Sequence, residues 1–228
     1  MEEKTPKLVN IDPAMFECGA FRIWGDDWLV LAAGDFAQGS FNAMTVGWGF
    51  FGTLWARPAV MIMVRPQRWT LRFLEQFDTF TLSAFDASFR PALGRIGKVS
   101  GRDVPDKLQQ AGLTPVAASR VAAPGFEEAE LVIECRKLYR ETLAGKNFLD
   151  KSLVGSMYPE RDYHVCFFGE VLAIRGTGKY MKLWLRRSCD GWIRQSDADD
   201  AAVPGGESLH PAGCGAALPA RRFLRGVF

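Results

Sequence analysis

Residues 41–70 constrain this chain more than any other stretch: FNAMTVGWGFFGTLWARPAVMIMVRPQRWT. The apolar part is long enough to suggest a membrane span. Gly47, Gly49 and Gly52 interrupt it, however, and Arg57-Pro58 divides it, so a continuous spanning helix is excluded as the reading. Residues 59–64 (AVMIMV) read instead as a buried strand entered from a proline-bearing loop. Arg65, Arg68 and Thr70 follow at once, where a helix is expected to begin with Thr70 as its N-cap. Two forked cations, a hydroxyl and free backbone N–H groups are the chemistry of a phosphate site.

Composition removes several function classes. At 228 residues the chain suits one domain with room for an extension, and 48% hydrophobic with 24% charged residues is ordinary for a soluble globular protein. A net charge of +2 gives no reason to expect nucleic acid or an anionic membrane as partner. The N-terminal MEEKTPKLVN has no apolar secretory segment. Cys18, Cys135, Cys166, Cys189 and Cys214 are scattered, which reads as reduced thiols of a cytoplasmic protein. His164 and His210 lack metal-ligand neighbours at usable spacing, so no metal site is expected. Neither glycine-rich nucleotide fingerprint is present, nor is a Gly-x-Ser-x-Gly elbow.

Along the chain, 28–33, 41–48, 59–64, 80–85, 129–139 and 163–174 read as strands. Residues 70–77 have helical spacing, and 89–99 and 105–111 read as short helices, the second capped by Asp103. Strands that do not alternate with long helices predict a mainly β, antiparallel barrel carrying small helices. Beyond Ile174 periodicity fades and Gly, Ala, Arg and Pro accumulate. The expected organisation is therefore a domain over 1–174 and a low-complexity or disordered tail over 175–228. Residues 179–187 are an amphipathic candidate helix within that tail. A frame change near Arg175 would explain its composition; a regulatory tail is the alternative.

Taken in order, Asn42-Ala43-Met44-Thr45, Trp48, Arg57-Pro58, Arg65-Pro66-x-Arg68-Trp69-Thr70, residues 80–85, Ser100-Gly101-Arg102-Asp103 with Lys107, and His164 ahead of Gly169-Glu170 resemble the flavin reductase-like family of FMN-binding split barrels. The resemblance spans roughly 16–174. It implies a homodimeric split β-barrel that holds FMN near the subunit interface and takes NADH or NADPH as co-substrate. Arg65, Arg68 and Thr70 would hold the phosphate, the alternative for the arginines being solvated surface pairs. Asn42, Ala43, Met44 and Thr45 would meet the flavin ring. Trp48 and Trp55 would stack on flavin or nicotinamide, the alternative for both being a place in the core. Lys98, Ser100 and Gly101 would form a second anion nest, the alternative being a capping turn. His164 would contact the nicotinamide or donate a proton, with a structural histidine as the alternative. Tyr163 stands where the family usually has Asp before that histidine, and Asp162 is displaced by one place. The implied activity is NAD(P)H-dependent flavin reduction. A non-catalytic FMN-binding or electron-transfer protein is the rival, and a pyridoxamine-phosphate oxidase on a related barrel fits the motifs less well.

Overall fold

A computed structural model describes residues 6–182 and the strand backbones 185–188 and 191–194. The chain divides into a compact unit ending at Lys182 and a second unit from Leu183 onward. In the compact unit an eight-stranded antiparallel sheet runs β3-β2-β6-β9-β10-β5-β4, with β1 (Val9–Asn10) added beside β10. Its strands are β2 (Leu29–Asp35), β3 (Ser40–Val46), β4 (Gly49–Leu54), β5 (Arg57–Val64), β6 (Thr79–Ala84), β9 (Leu131–Thr142) and β10 (Val165–Gly176). A small pair, β7 (Pro115–Val116) and β8 (Gly125–Phe126), lies between β6 and β9 in sequence. The helices are short: α1 (Thr70–Gln76), α2 (Arg90–Lys98), α3 (Lys107–Gln110) and α4 (Ser152–Met157). This is the mainly β, antiparallel architecture with short helices that the sequence predicts.

Side-chain alternation along the strands builds two cores. Leu29, Leu31 and Ala33 of β2 face Met44, Ile62, Phe80, Leu82, Ile133 and Phe167 inside the sheet's curl. Val30 and Ala32, on the other face of β2, pack with Ala43, Leu93, Ile96, Leu108 and Phe126 beneath α2 and α3. A strand buried on both faces reads as a continuous apolar run, which is why WLVLAA shows no alternation. Truncating a fully buried ring such as Phe80 would cost about 3–5 kcal/mol.

Strand β4 was not expected, because its glycines argue against a strand. Gly49 is required by packing: a Cβ there would lie 2.4 Å from the Trp24 indole. The β4–β5 hairpin turns on Trp55 and Ala56, both with positive φ (49° and 56°), the twist a two-residue turn demands. Pro58 sits inside β5, one residue beyond the last pair with β10, where a missing N–H is tolerated. The Met63 N–H donates to the Trp48 carbonyl at 3.2 Å, drawing the β3–β4 connection onto β5.

Three details differ from expectation. The N-cap position of α1 is Trp69, with Thr70 the first helical residue. Asp103 pairs with Arg102, while α3 is preceded by Asp106, whose carboxylate accepts from Gln110. Residues 179–187 do not form a helix: a 3-10 turn spans Gly178–Tyr180, and β11 (Leu185–Ser188) pairs with β12 (Gly191–Arg194) in the second unit. The boundary drawn at Ile174 falls within β10. Tyr180 is buried, Lys179 pairs with Glu130 at 2.8 Å, and the Lys182 N–H donates to the Met15 carbonyl at 2.8 Å. The remainder of the expected tail lies outside the described residues. No helix among the described residues is long and apolar enough to cross a membrane.

Candidate active site

Strand β3 ends the sheet path, so it pairs only with β2 among the described strands. Its alternation sends Asn42 and Met44 to one face and Ala43 and Thr45 to the other. The first pair lines a cavity of about 450 Å³, together with Arg65, Arg68, Thr70, Lys98, Ser100 and Gly101. Eight of the expected site residues thus meet around one space. Ala43 and Thr45 do not: Ala43 belongs to the core under α2, and the Thr45 hydroxyl donates to the Leu93 carbonyl. Their side chains serve the packing of α2 against the sheet.

Within the cavity the Asn42 amide donates to the Thr70 hydroxyl at 2.7 Å, and both residues are buried. Gly101 is needed beside them, since a Cβ at that position would lie 2.1 Å from Asn42 Oδ1. The amides of Leu71 and Arg72 are already bonded to the Arg68 and Trp69 carbonyls, so the start of α1 offers fewer free donors than expected. Ser100 to Arg102 forms a capping turn, with the Arg102 N–H on Ser100 Oγ at 3.2 Å. Gly101 has no positive φ, so the alternating conformation of an anion nest is not formed.

The two arginines have different situations. Arg65 is held by the Asp162 carboxylate and by the Met157 carbonyl (2.8 Å), with its guanidinium 5.2 Å from the Tyr158 ring centre. Hydrogen bonds from Arg65 and then Gln67 hold the Asp162 carboxyl below the usual carboxylate range. The displaced aspartate is therefore a partner of Arg65. Arg68 donates to the Gly97 carbonyl at 2.6 Å. Among the described residues, no carboxylate stands within ion-pair distance of Arg68, Lys98 or Lys107. Lys107 was part of the motif but was not expected in the site. It is 3% exposed and lines the cavity, donating to the Ile96 (3.2 Å) and Val99 (3.0 Å) carbonyls. Burial, and then the Arg68 charge, lowers its ammonium pKa to about 8. Its sequence neighbours show only a short polar helix; the burial comes from the packing of α3 against α2.

His164 and Trp48 stand apart from this cavity's lining. His164 is 6% exposed, its Nδ1 lies 2.8 Å from the Tyr158 hydroxyl, and Trp48 stacks on it with ring centres 4.7 Å apart. One face of Trp48 is thus already taken, while the residue as a whole is 42% exposed. Burial first, and the Arg65 charge second, lowers the His164 pKa to about 4. The ring is neutral near pH 7, so proton donation from an imidazolium is not available there. Tyr158, unmarked in sequence, joins His164 to Arg65 and so to the cavity wall.

Similar proteins agree with this architecture. The first 97-residue match is to an uncharacterized protein of Aeropyrum pernix, 26% identical over 42% of this chain and 36% of that relative's length, little more than a third of it. Among solved structures, the FMN-binding domain of a flavin reductases-like enzyme from Shewanella baltica OS155 superposes with a TM-score of 0.56 at 15% identity, covering 88% of this chain and all of that one. A split-barrel protein of Shewanella frigidimarina NCIMB 400 gives 0.53 at 18% identity, covering 86% of each chain. Flavoredoxin of Desulfovibrio vulgaris (Miyazaki F) gives 0.51 at 21% identity, covering 81% and 89%. At these identities the likeness is one of fold. The model of the flavin reductase like domain matches residues 28–192, well over half of the chain and past Arg175. The chain belongs to the flavin reductase like domain family.

Proposed function

We propose that this protein binds FMN or a closely related flavin in the 450 Å³ cavity and reduces it with NADH or NADPH. The observation that carries the reading is a cluster of cations, Arg68, Lys98 and Lys107, with no acidic partner among the described residues, beside the edge of β3 that pairs with no described strand. Lys107 is a buried cation without a counter-charge among the described residues, which is costly, and a dianionic phosphate beside it and the exposed Arg68 and Lys98 offsets that cost. The volume lies in the range of small-ligand pockets. Gly101 leaves the room that a side chain would fill. The residues present therefore fit a flavin phosphate. Family membership supports a flavin-related oxidoreductase.

When bound, the flavin supplies the hydride-accepting chemistry. The protein's residues have simpler tasks. Arg68, Lys98 and Lys107 would hold the phosphate, and Arg65, already neutralised by Asp162, would shape the wall. The free backbone edge of β3 would offer donors and acceptors to the ring's polar rim. Asn42 and Thr70, locked to each other, would fix the cavity's depth. Hydride transfer needs no acid–base pair, and the neutral His164 supplies none near pH 7.

Pairing into a homodimer is part of the reading. Phe50 on β4, which ends the sheet path, is 63% exposed, Trp55 in the turn after it is 62% exposed, and Trp48 immediately precedes the strand. Exposed aromatics on an edge strand favour association. Light scattering on purified protein checks this.

The test of function is anaerobic. FMN-loaded protein is mixed with NADH or NADPH while flavin absorbance is followed. Bleaching supports the enzyme; bound flavin that stays oxidised with both would assign a non-catalytic flavin carrier instead. Failure to bind FMN at all would overturn the reading.

A further inference from the structure

We propose, resting on the flavin reading above, that Tyr158 is a positioning residue. Its hydroxyl fixes His164 as the Nε2–H tautomer, so that the ring enters the reaction as a neutral hydrogen-bond donor. The pair is made locally. Arg161 adopts the left-handed conformation (φ 56°) and its N–H donates to the Tyr158 carbonyl at 3.0 Å, a reversal that returns the chain onto Tyr158. The His164 carbonyl accepts from the Leu143 N–H at 3.0 Å, which ties the residue to the end of β9.

A neutral imidazole has one N–H and one bare nitrogen. With Nδ1 2.8 Å from the phenol, either the ring donates to the phenolic oxygen or the hydroxyl donates to Nδ1. Tyr158 is 3% exposed, and among the described residues its hydroxyl has no other hydrogen-bond partner. Donation from Nδ1 would leave the phenolic hydrogen buried without an acceptor, a cost that the other arrangement avoids. The Arg65 guanidinium over the Tyr158 ring draws electron density from it and favours the phenol as donor. Nδ1 therefore accepts, and Nε2 carries the hydrogen. Nε2 has no hydrogen-bond partner among the described residues, and Trp48 stacks on the ring's face, away from its edge.

Asp162 would have set the opposite polarity. A carboxylate beside Nδ1 accepts its hydrogen, leaves Nε2 bare and readies the ring to take up a proton. Here Asp162 is committed to Arg65 and Gln67, and a phenol stands at Nδ1 instead. Burial and the Arg65 and Arg68 charges outweigh Asp162 and keep the imidazole neutral at pH 7. Burial likewise raises the pKa of the phenol, which faces Arg65, Cys166 and Asp162, so it keeps its proton.

Nitrogen-15 spectra of the full chain read both ring nitrogens of His164. The chain has two histidines, so His210→Gln identifies the signals. The expected result at pH 7 is a neutral ring with hydrogen on Nε2 and a bare, hydrogen-bonded Nδ1. Hydrogen on Nδ1, a mixture of the two tautomers, or a charged ring overturns the proposal. Tyr158→Phe keeps the ring packed against Phe148 and Tyr163. In it the Nδ1 signal should move to that of a nitrogen with no donor. Flavin reduction at saturating NADH or NADPH should slow by about two- to tenfold, with FMN affinity kept. A variant with an unmoved Nδ1 signal or an unchanged reduction rate overturns the proposal, as does a loss confined to FMN affinity. Should the variant not fold, the spectra of the unsubstituted ring still decide, because they need no flavin. Unsubstituted protein that binds no FMN overturns the flavin reading, and the positioning role with it, whichever tautomer is found.

Discussion

Arg68→Ala and Arg65→Ala should behave differently, although the sequence presents the two arginines as a pair. Arg65 is tied to Asp162 and the Met157 carbonyl, so its charge is already compensated. Among the described residues the Arg68 guanidinium has only the Gly97 carbonyl. A hydrogen bond between charged groups contributes about 1.5–3 kcal/mol, or roughly 10- to 150-fold in affinity. Arg68 is exposed, so screening favours the lower end of that range. Arg68→Ala should therefore weaken FMN binding by about tenfold and riboflavin, which lacks the phosphate, by about twofold or less. Arg65→Ala should cost little phosphate-specific affinity. It should instead lower the stability of the fold, because Asp162 loses its cation and the Met157 carbonyl its donor. Calorimetry with both ligands and urea unfolding of both variants measure all four quantities. If Arg65→Ala removes as much FMN-over-riboflavin preference as Arg68→Ala, the assignment of the uncompensated cation to phosphate is refuted.

The remaining predictions concern pH, the hairpin, the histidine and the C-terminal segment. Lys107 has its pKa lowered from 10.5 to about 8, so FMN affinity should fall as pH rises through about 8, and Lys107→Met should flatten that profile. Stability of the ligand-free protein should move the other way, increasing from about pH 8 to 10.5, because the unfolded chain binds the proton over that window; a stability that falls there contradicts the buried ammonium. Ala56→Gly should stabilise the β4–β5 hairpin by about 0.5–1 kcal/mol, since a left-handed alanine is strained, and a lowered Tm would count against the turn. His164→Ala should cost about 1–3 kcal/mol in urea unfolding by stranding the Tyr158 hydroxyl, with FMN affinity kept. Flavin reduction should show no limb near pH 6.5 that disappears in this variant, since His164 titrates near 4. Deletion from Gly176 should lower Tm by removing buried Tyr180 and the Lys182–Met15 bond; an unchanged Tm would count against the docking of this segment.

How far the sequence could be read follows from which forces are local. The long apolar and alternating runs became β2, β5, β6, β9 and β10 because their burial pattern is written residue by residue. Strand β4 was missed because glycine signals a break locally, while the reason for glycine is the Trp24 indole 25 residues away in sequence. Alternation separates Asn42 and Met44 from Ala43 and Thr45, but it does not say which face holds a cavity. Only the seating of α2 on Ala43 and Thr45 decides that. Arg65 and Arg68 look equivalent for the same reason: their difference lies in Asp162, which arrives from the loop before β10.

That loop also explains why the site divides into two electrostatic regions. The segment before β10 brings Met157, Tyr158, Asp162 and His164 to one side of Arg65, where the guanidinium is consumed by a carboxylate, a carbonyl and a ring face. Its remaining field, added to burial, keeps His164 neutral. On the other side Arg68, Lys98 and Lys107 gather with no acid among the described residues, and the Arg68 charge depresses the Lys107 ammonium. On one side the Arg65 charge is neutralised within the protein; on the other, positive charge gathers without a carboxylate partner among the described residues, and an anionic ligand can answer it. The physical division makes Arg65 the boundary of the ligand site, and it is why loss of Arg65 should be felt as instability while loss of Arg68 is felt as lost affinity.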